Sequence, residues 1–468
     1  KIPESSLEQQ GTSLISAGWI HLMNGHKTDA DRVIHKSEQW INANRDKAVY
    51  RKTIRRCDVE LCFLKSFRAF LDGHFETASE QLHQMLKNKE YHTSYTVVFE
   101  DLFQKNKELS LLGSRFGYYG QLRLLQDKAG WLFDRFHPFV EEIGCAGKIL
   151  QAEIFYEICD LDAAANLAVK AMEEASENQV WGLYSSAVYL FVKIMNAQGS
   201  SKEATWMLEE AAGLLREMKL EQLTCYMEGL KAWIDLQSGQ MDKAIAWNDS
   251  CGLTLCYQME KFNHYLHSIH IRIQLMQRNL AMARLEVEQL LCHAEKEGRI
   301  MHNVEALNLM AVVYYMSGAK DAAVSYLERS VSIGYEQGYQ RTFIDEGKLL
   351  LPVLRMLHRK LNQDTTRSDS LRHYTDDLIR SATRHVKSCQ TGLNEGGGLG
   401  TARLIEPLTA REVQVLQCLA RNMTNTEISQ SLHIQLTTVK AHARNIYGKL
   451  GVANRTQAVV FAREHKII

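Results

Sequence analysis

Gly199-Ser-Ser-Lys-Glu-Ala204 is followed forty residues later by Gly239-Gln-Met-Asp-Lys-Ala244, and this pair decides how the chain is parsed. The same grammar recurs in Gly25-His-Lys-Thr-Asp-Ala30, Gly73-His-Phe-Glu-Thr-Ala78 and Gly318-Ala-Lys-Asp-Ala-Ala323. Weaker copies end at Ala164 and Ala283, with Cys159 and Arg278 in the glycine position. From Ala164 onward the alanines are 40, 40, 39 and 40 residues apart, and the wider gap after Ala78 leaves room for a degenerate copy. Regular self-similarity at this period marks a stacked-repeat architecture.

Each phrase reads as the turn of a helical hairpin. Glycine supplies the left-handed residue that ends a helix, acidic or polar residues suit the next helix start, and alanine allows close helix approach. After Ala323 the residues Tyr326, Leu327 and Ser330 fall on the same helical face. A single hairpin cannot bury that stripe, whereas stacked neighbours can, leaving an inner groove. The period is longer than the ~34 residues of a minimal tetratricopeptide repeat, so the unit is TPR-like. Leu349–Lys360 and His373–His385 read as further helices capping the open end. Aromatics crowd the middle repeats: Trp181, Tyr184, Tyr189, Trp206, Tyr226, Trp233, Trp247, Tyr265, Tyr314 and Tyr315. Most belong between hairpins, and a few can line the groove as partner contacts.

Composition agrees with an all-α chain. Only 4 of 468 residues are proline, and proline interrupts helices. Lys plus Arg equals Asp plus Glu at 55 each, which excludes a uniformly basic nucleic-acid coat but not a local basic module. The ten cysteines are scattered without a Cys-x-x-Cys pair, as reduced thiols of a cytoplasmic protein would be. No apolar run reaches the length of a membrane span. Neither a nucleophile elbow, an HExxH motif nor a phosphate loop is present, so no enzyme is expected. Gly144-Cys-Ala-Gly147-Lys148-Ile149 imitates a phosphate loop but has Ile149 where the hydroxyl belongs.

The repeat pattern stops near 386. Four glycines in positions 396–400 read as a tether, which divides the chain into a repeat domain (1–385), a linker (386–403) and a terminal module (404–468). Residues 401–468 carry nine Lys or Arg against four Glu, a net charge of +5. Leu408-Thr409-Ala-Arg-Glu412 and Met423-Thr424-Asn-Thr-Glu427 each spell a capping box. A short second helix through Leu432 and a third from Leu436 to Leu450 form a helix-turn-helix, and a fourth helix begins at Asn454. On the third helix Val439, Ile446 and Leu450 face inward. Thr437, Thr438, Lys440, Ala441, Arg444 and Asn445 share the other side, suited to a DNA major groove.

Leu408-Thr-x-Arg411-Glu412, Thr424-Asn425-x-Glu427-Ile428, Thr438-Val439-Lys440-x-His442, Ile446-Tyr447-x-Lys449-Leu450 and Asn454-Arg455-x-x-Ala458 resemble the LuxR-type helix-turn-helix. The resemblance implies base reading by Lys440, Ala441 and Arg444. It implies backbone contacts by Thr437, Thr438, His442, Asn445 and Lys449, with helix four mediating dimerisation. Asn422, Ser429 and Gln435 depart from the family's Gly, Ala and Ser. Together with the helical repeats, Arg341-Thr-Phe343-Ile-Asp345-Glu346-Gly347 resembles MalT-like regulators. That second resemblance implies a cytoplasmic activator working with RNA polymerase, as a dimer or higher oligomer on promoter DNA. A small-molecule or protein effector would be sensed in the superhelix. No cofactor is expected in this chain, and ATP would belong to an N-terminal domain outside it. The first residue is not Met, as in a piece cut from a longer parent. The competing reading is a TPR-like interaction scaffold with an accessory DNA-binding module.

Overall fold

The computed structural model describes residues 4–23, 26–86, 109–113, 122, 125, 141–251, 264–363, 369–394, 408–421, 423–432, 434, 436–450, 452, 455–464 and 467–468. Among them every extended element is helical and there is no strand. The first hairpins are α1 (Glu4–Met23) with α2 (Lys27–Asn44) and α3 (Arg51–Phe70) with α4 (Phe75–Leu86). Five more follow: α5 (Glu141–Glu157) with α6 (Leu161–Glu177), α7 (Trp181–Ala197) with α8 (Ser201–Glu217), and α9 (Glu221–Gln237) with α10 (Met241–Ser250). Then come α11 (His264–Met276) with α12 (Leu280–Glu297) and α13 (Ile300–Met316) with α14 (Lys320–Gln337).

The repeated phrase is the hairpin turn, as its composition requires. Gly73, Cys159, Gly199, Gly239, Arg278 and Gly318 all have positive φ, from 61° to 91°. At each turn from Cys159 onward a backbone bond runs five residues back, as in Ser200 N to Met195 O at 2.9 Å and Asn279 N to Gln274 O at 2.9 Å. These bonds satisfy carbonyls that the helix end leaves open. Cys159 and Arg278 take the left-handed conformation despite their side chains, at a cost of roughly 1–2 kcal/mol each. The alanines at 30, 78, 164, 204, 244, 283 and 323 are all fully buried. A second class of turn joins successive hairpins, with positive φ at Gln179, Lys219, Gly298 and Gly338. Gly25 and the degenerate copy expected after Ala78 lie largely outside the described residues.

The end of the repeat domain differs from a simple cap. A short helix α15 (Arg341–Ile344) enters the concave side of the superhelix and lies beside α5. Tyr156 Oη donates to Asp345 Oδ2 at 2.8 Å, Gln237 Nε2 to Asp345 O at 3.0 Å, and the Thr342 hydroxyl to Glu157 Oε1 at 2.9 Å. After α16 (Gly347–Gln363), helix α17 (Asp369–Asn394) returns across the repeats to pack on α7 and α8. The chain thus fills its own groove instead of only closing an open end. Helix α17 also runs past residue 386, where the sequence pattern places the linker. Its face of Leu371, Thr375, Leu378, Ala382 and His385 is buried, and the helix continues through Gly392. Residues 395–407 lie outside the described ones.

Candidate DNA interface and inner cavity

The terminal module contains α18 (Ala410–Ala420), α19 (Asn425–Ser431), α20 (Leu436–Leu450) and α21 (Arg455–Glu464). Both capping boxes form. Thr409 N donates to Glu412 Oε2 at 2.7 Å and Glu412 N to the Thr409 hydroxyl at 3.3 Å; Thr424 and Glu427 repeat the exchange at 2.7 and 3.2 Å. Val415, Leu416, Ile428, Val439, Ile446 and Ala458 are fully buried in a separate small core. Several arginines of the motif hold the frame. Arg411 donates to Leu432 O at 2.6 Å and Arg455 to Leu419 O at 3.0 Å, each satisfying a helix-end carbonyl. Ser429, a departure from the family pattern, donates to Ile434 O at 2.6 Å and closes the turn before the third helix.

That third helix presents the expected residues unevenly. Lys440 and Asn445 are exposed, and Thr438 and His442 are half-buried. Thr437, Ala441 and Arg444 belong to the same helix, but their side chains lie outside the described residues, as do Asn422 and Gln435. Lys449 is engaged inside the module, its Nζ 2.8 Å from Glu412 Oε2. Burial favours the neutral form of the Glu412 carboxyl, but the bonds from Lys449 and Thr409 outweigh it and hold the group below the usual carboxylate range. Lys449 therefore ties helix α20 to the first capping box.

A second site lies inside the superhelix. Tyr189, Tyr226, Trp233 and Tyr265 line a cavity together with Lys193, Arg272, Glu305 and the 342–346 segment. Tyr265 meets Tyr189 edge-on at 5.3 Å, and the Lys193 ammonium sits 5.4 Å from the Tyr189 ring and 5.8 Å from Trp233. Arg272 bridges Glu305 at 2.7 Å and Glu346, while Lys193 lies 3.4 Å from Asp345. Burial opposes charge on Lys193, Arg272, Glu305 and Asp345, yet their neighbours prevail. Lys193 is held well above its usual value beside Tyr189, Tyr156 and Asp345, and Glu305 well below its own beside Arg272 and His264. The His302 ring stacks on His264 at 3.7 Å. Burial and the neighbouring His264 and Arg299 push His302 far below the histidine range, so it is neutral. The Tyr265 hydroxyl and His302 Nδ1 are buried without a hydrogen-bond partner among the described residues, a costly state that a polar guest would relieve.

Sequence reasoning did not single out the charged members of this cavity, though the repeat phase marks them. Glu153, Lys193, Trp233 and Arg272 are spaced by 40, 40 and 39 residues, each eleven before a turn alanine. This one position of the first helix in successive hairpins points inward throughout. Lys148 of the loop-like decoy sits within α5 and pairs with Glu174 at 2.5 Å. A helix interior there presents no phosphate cradle.

Fold and sites together define a class: a superhelix of hairpins with a self-filled groove, followed by a four-helix module of helix-turn-helix type. Residues 144–360 match the MalT-like TPR region, and residues 406–462 match the bacterial regulatory proteins of the luxR family. Among curated proteins the chain is similar to the HTH-type transcriptional regulator MalT of Klebsiella pneumoniae, at 29% identity over 223 residues, and of Cronobacter sakazakii, at 28% over 214. Each alignment covers 43% of this chain and 23% of the relative, so the chain spans less than a quarter of their length. No helix among the described residues is long and apolar enough to cross a membrane.

Proposed function

We propose that this chain is the sensing and DNA-binding part of a bacterial transcription regulator of the activating kind. The observation that carries the reading is the tandem itself, a MalT-like TPR region joined to a LuxR-type module whose helix α20 exposes Lys440 and Asn445. Helix α20 enters the major groove of promoter DNA, where Lys440, Ala441 and Arg444 meet base edges. Thr437, Thr438, His442, Asn445 and Lys449 flank them at the phosphates. The inner cavity takes a small polar effector, which stacks on the aromatic wall and satisfies Tyr265 and His302. The proposal assigns no catalysis and no cofactor to this chain, and places it in the cytoplasm with RNA polymerase as its target.

The scaffold reading is weaker on one specific ground: the groove that a peptide would occupy is filled by residues 341–346. Selection of duplexes from a random pool by the full chain tests the proposal. A recovered consensus, with affinity falling steeply as salt rises, is the expected result. A salt-insensitive, sequence-blind pool would refute it.

A further inference from the structure

The terminal module does not stand clear of the superhelix. The Arg463 guanidinium lies 4.3 Å over the Trp206 ring of α8, and Trp206 also packs against the module's core. The Asn425 amide reaches Glu177 Oε1 at 3.5 Å. Between the two parts runs a cleft whose superhelix wall carries Lys170 beside Glu173, Glu174, Glu177 and Glu210, with Glu174 already paired to Lys148. The module's wall contains Thr424, Lys440 and Arg455. Arg455 is deeply placed there, within electrostatic reach of Glu173 and Tyr184. With Glu173, Glu177 and Glu210 against Lys170, the superhelix side of the cleft is net acidic. The other is part of the same cationic, helix-start surface that a helix-turn-helix offers to phosphate.

From this complementarity we propose that the acidic face of α6 and α8 is a docking surface for the chain's own DNA-binding module, and that the docked arrangement excludes duplex DNA. Two effects act together. A duplex approaching Lys440 meets α6, which faces the Lys440, Ala443 and Tyr447 flank of helix α20 across the cleft. The net negative charge of the superhelix wall also repels the phosphate backbone over distances comparable with the Debye length, about 8 Å at physiological salt. Because surface and module belong to one chain, the contact competes with DNA at an effective concentration on the order of millimolar, so modest contacts suffice. The Trp206–Arg463 stack anchors the arrangement, and the carboxylates aim it. DNA binding then requires release of the module, the step at which an effector can act. This inference rests on the DNA-binding reading above.

The test uses the full chain carrying Trp206→Ala, Arg463→Ala, both together, or Glu177→Lys. None of these alters a residue assigned to DNA. Duplex affinity and the small-angle scattering radius are measured for each, alongside the unaltered protein. Each single change is expected to tighten binding about threefold to tenfold and to enlarge the radius. The double variant should gain no more than the better single, because both remove one contact. Glu177→Lys, on an exposed position, keeps the test informative if Trp206→Ala misfolds. Equal affinity across all variants, in a protein that does bind duplex, overturns the docking proposal and leaves the DNA-binding reading standing. Absence of duplex binding from every form at low salt overturns both.

Discussion

Single residues divide into the proposed DNA readers and the groups that hold the module's frame. Arg444→Ala should weaken specific binding by about 1–3 kcal/mol and relax selection at one base pair; a random-pool selection with unchanged consensus would contradict its base-reading role. Lys449→Ala has two separable consequences. It leaves the Glu412 carboxylate, 3% exposed, without its cationic partner. That should cost the module about 1–3 kcal/mol in urea unfolding. Loss of one phosphate contact should also shallow the salt dependence of DNA binding by about one unit. Titration sorts two further residues. Burial, with Arg341 and Lys193 nearby, pushes His385 down to about 4, against the pull of Asp345. The unfolded chain therefore takes this proton first. Stability present above the ordinary histidine range, near 6.5, is lost as pH falls from there towards 4. Glu153 acts in the opposite sense. Burial raises its carboxyl to about 7 despite bonds from the Leu112 and Leu111 amides, so its contribution is lost as pH rises from 4.5 through 7. His385→Gln should flatten the acid limb of a pH–stability curve and Glu153→Gln the neutral one; parallel curves would refute the assignment.

Among the elements, the two capping boxes look alike in sequence but differ in surroundings. Glu427 is exposed, whereas Glu412 is buried and also holds Lys449. Glu427→Ala should cost about 1 kcal/mol, typical of a lost cap, and Glu412→Ala clearly more; equal urea midpoints would show that the Lys449 pair contributes nothing. Both boxes were legible beforehand because they depend on residues three apart. The same holds for the repeat turns, where Cys159 and Arg278 were placed by phase against their own propensity. Helix α17 is the converse case. Gly392 and the polar stretch around it argue for a break, yet the helix that buries Leu378, Ala382 and His385 runs on to Asn394. One glycine disfavours a helix interior by only about 1 kcal/mol, too little to end a helix by itself.

At the scale of the molecule, the least legible feature is the one that closes it. Tyr156 and Asp345 are 189 positions apart, and nothing local in Arg341-Thr-Phe-Ile-Asp-Glu announces which helices it will join. Once seen, it changes what kind of solenoid this is. An open array transmits stability only between neighbours and unfolds piecemeal. Here one segment bonds to α5 through Tyr156 and Glu157, to α7 through Lys193, to α9 through Gln237 and to α11 through Arg272. These repeats therefore share a common partner besides their own stacking. Asp345→Ala would strand two buried cations, Lys193 and Arg341, each paired with that carboxylate. Removing one member of such a buried network costs about 3–5 kcal/mol. The decisive readout is where the loss falls. Hydrogen exchange should accelerate together in α5, α7 and α9, although α7 and α9 lie more than a hundred residues from the substitution in sequence. Acceleration confined to 341–363 and the adjoining α13–α14 hairpin would mean that the segment merely rests in the groove and does not bind the repeats into one cooperative unit.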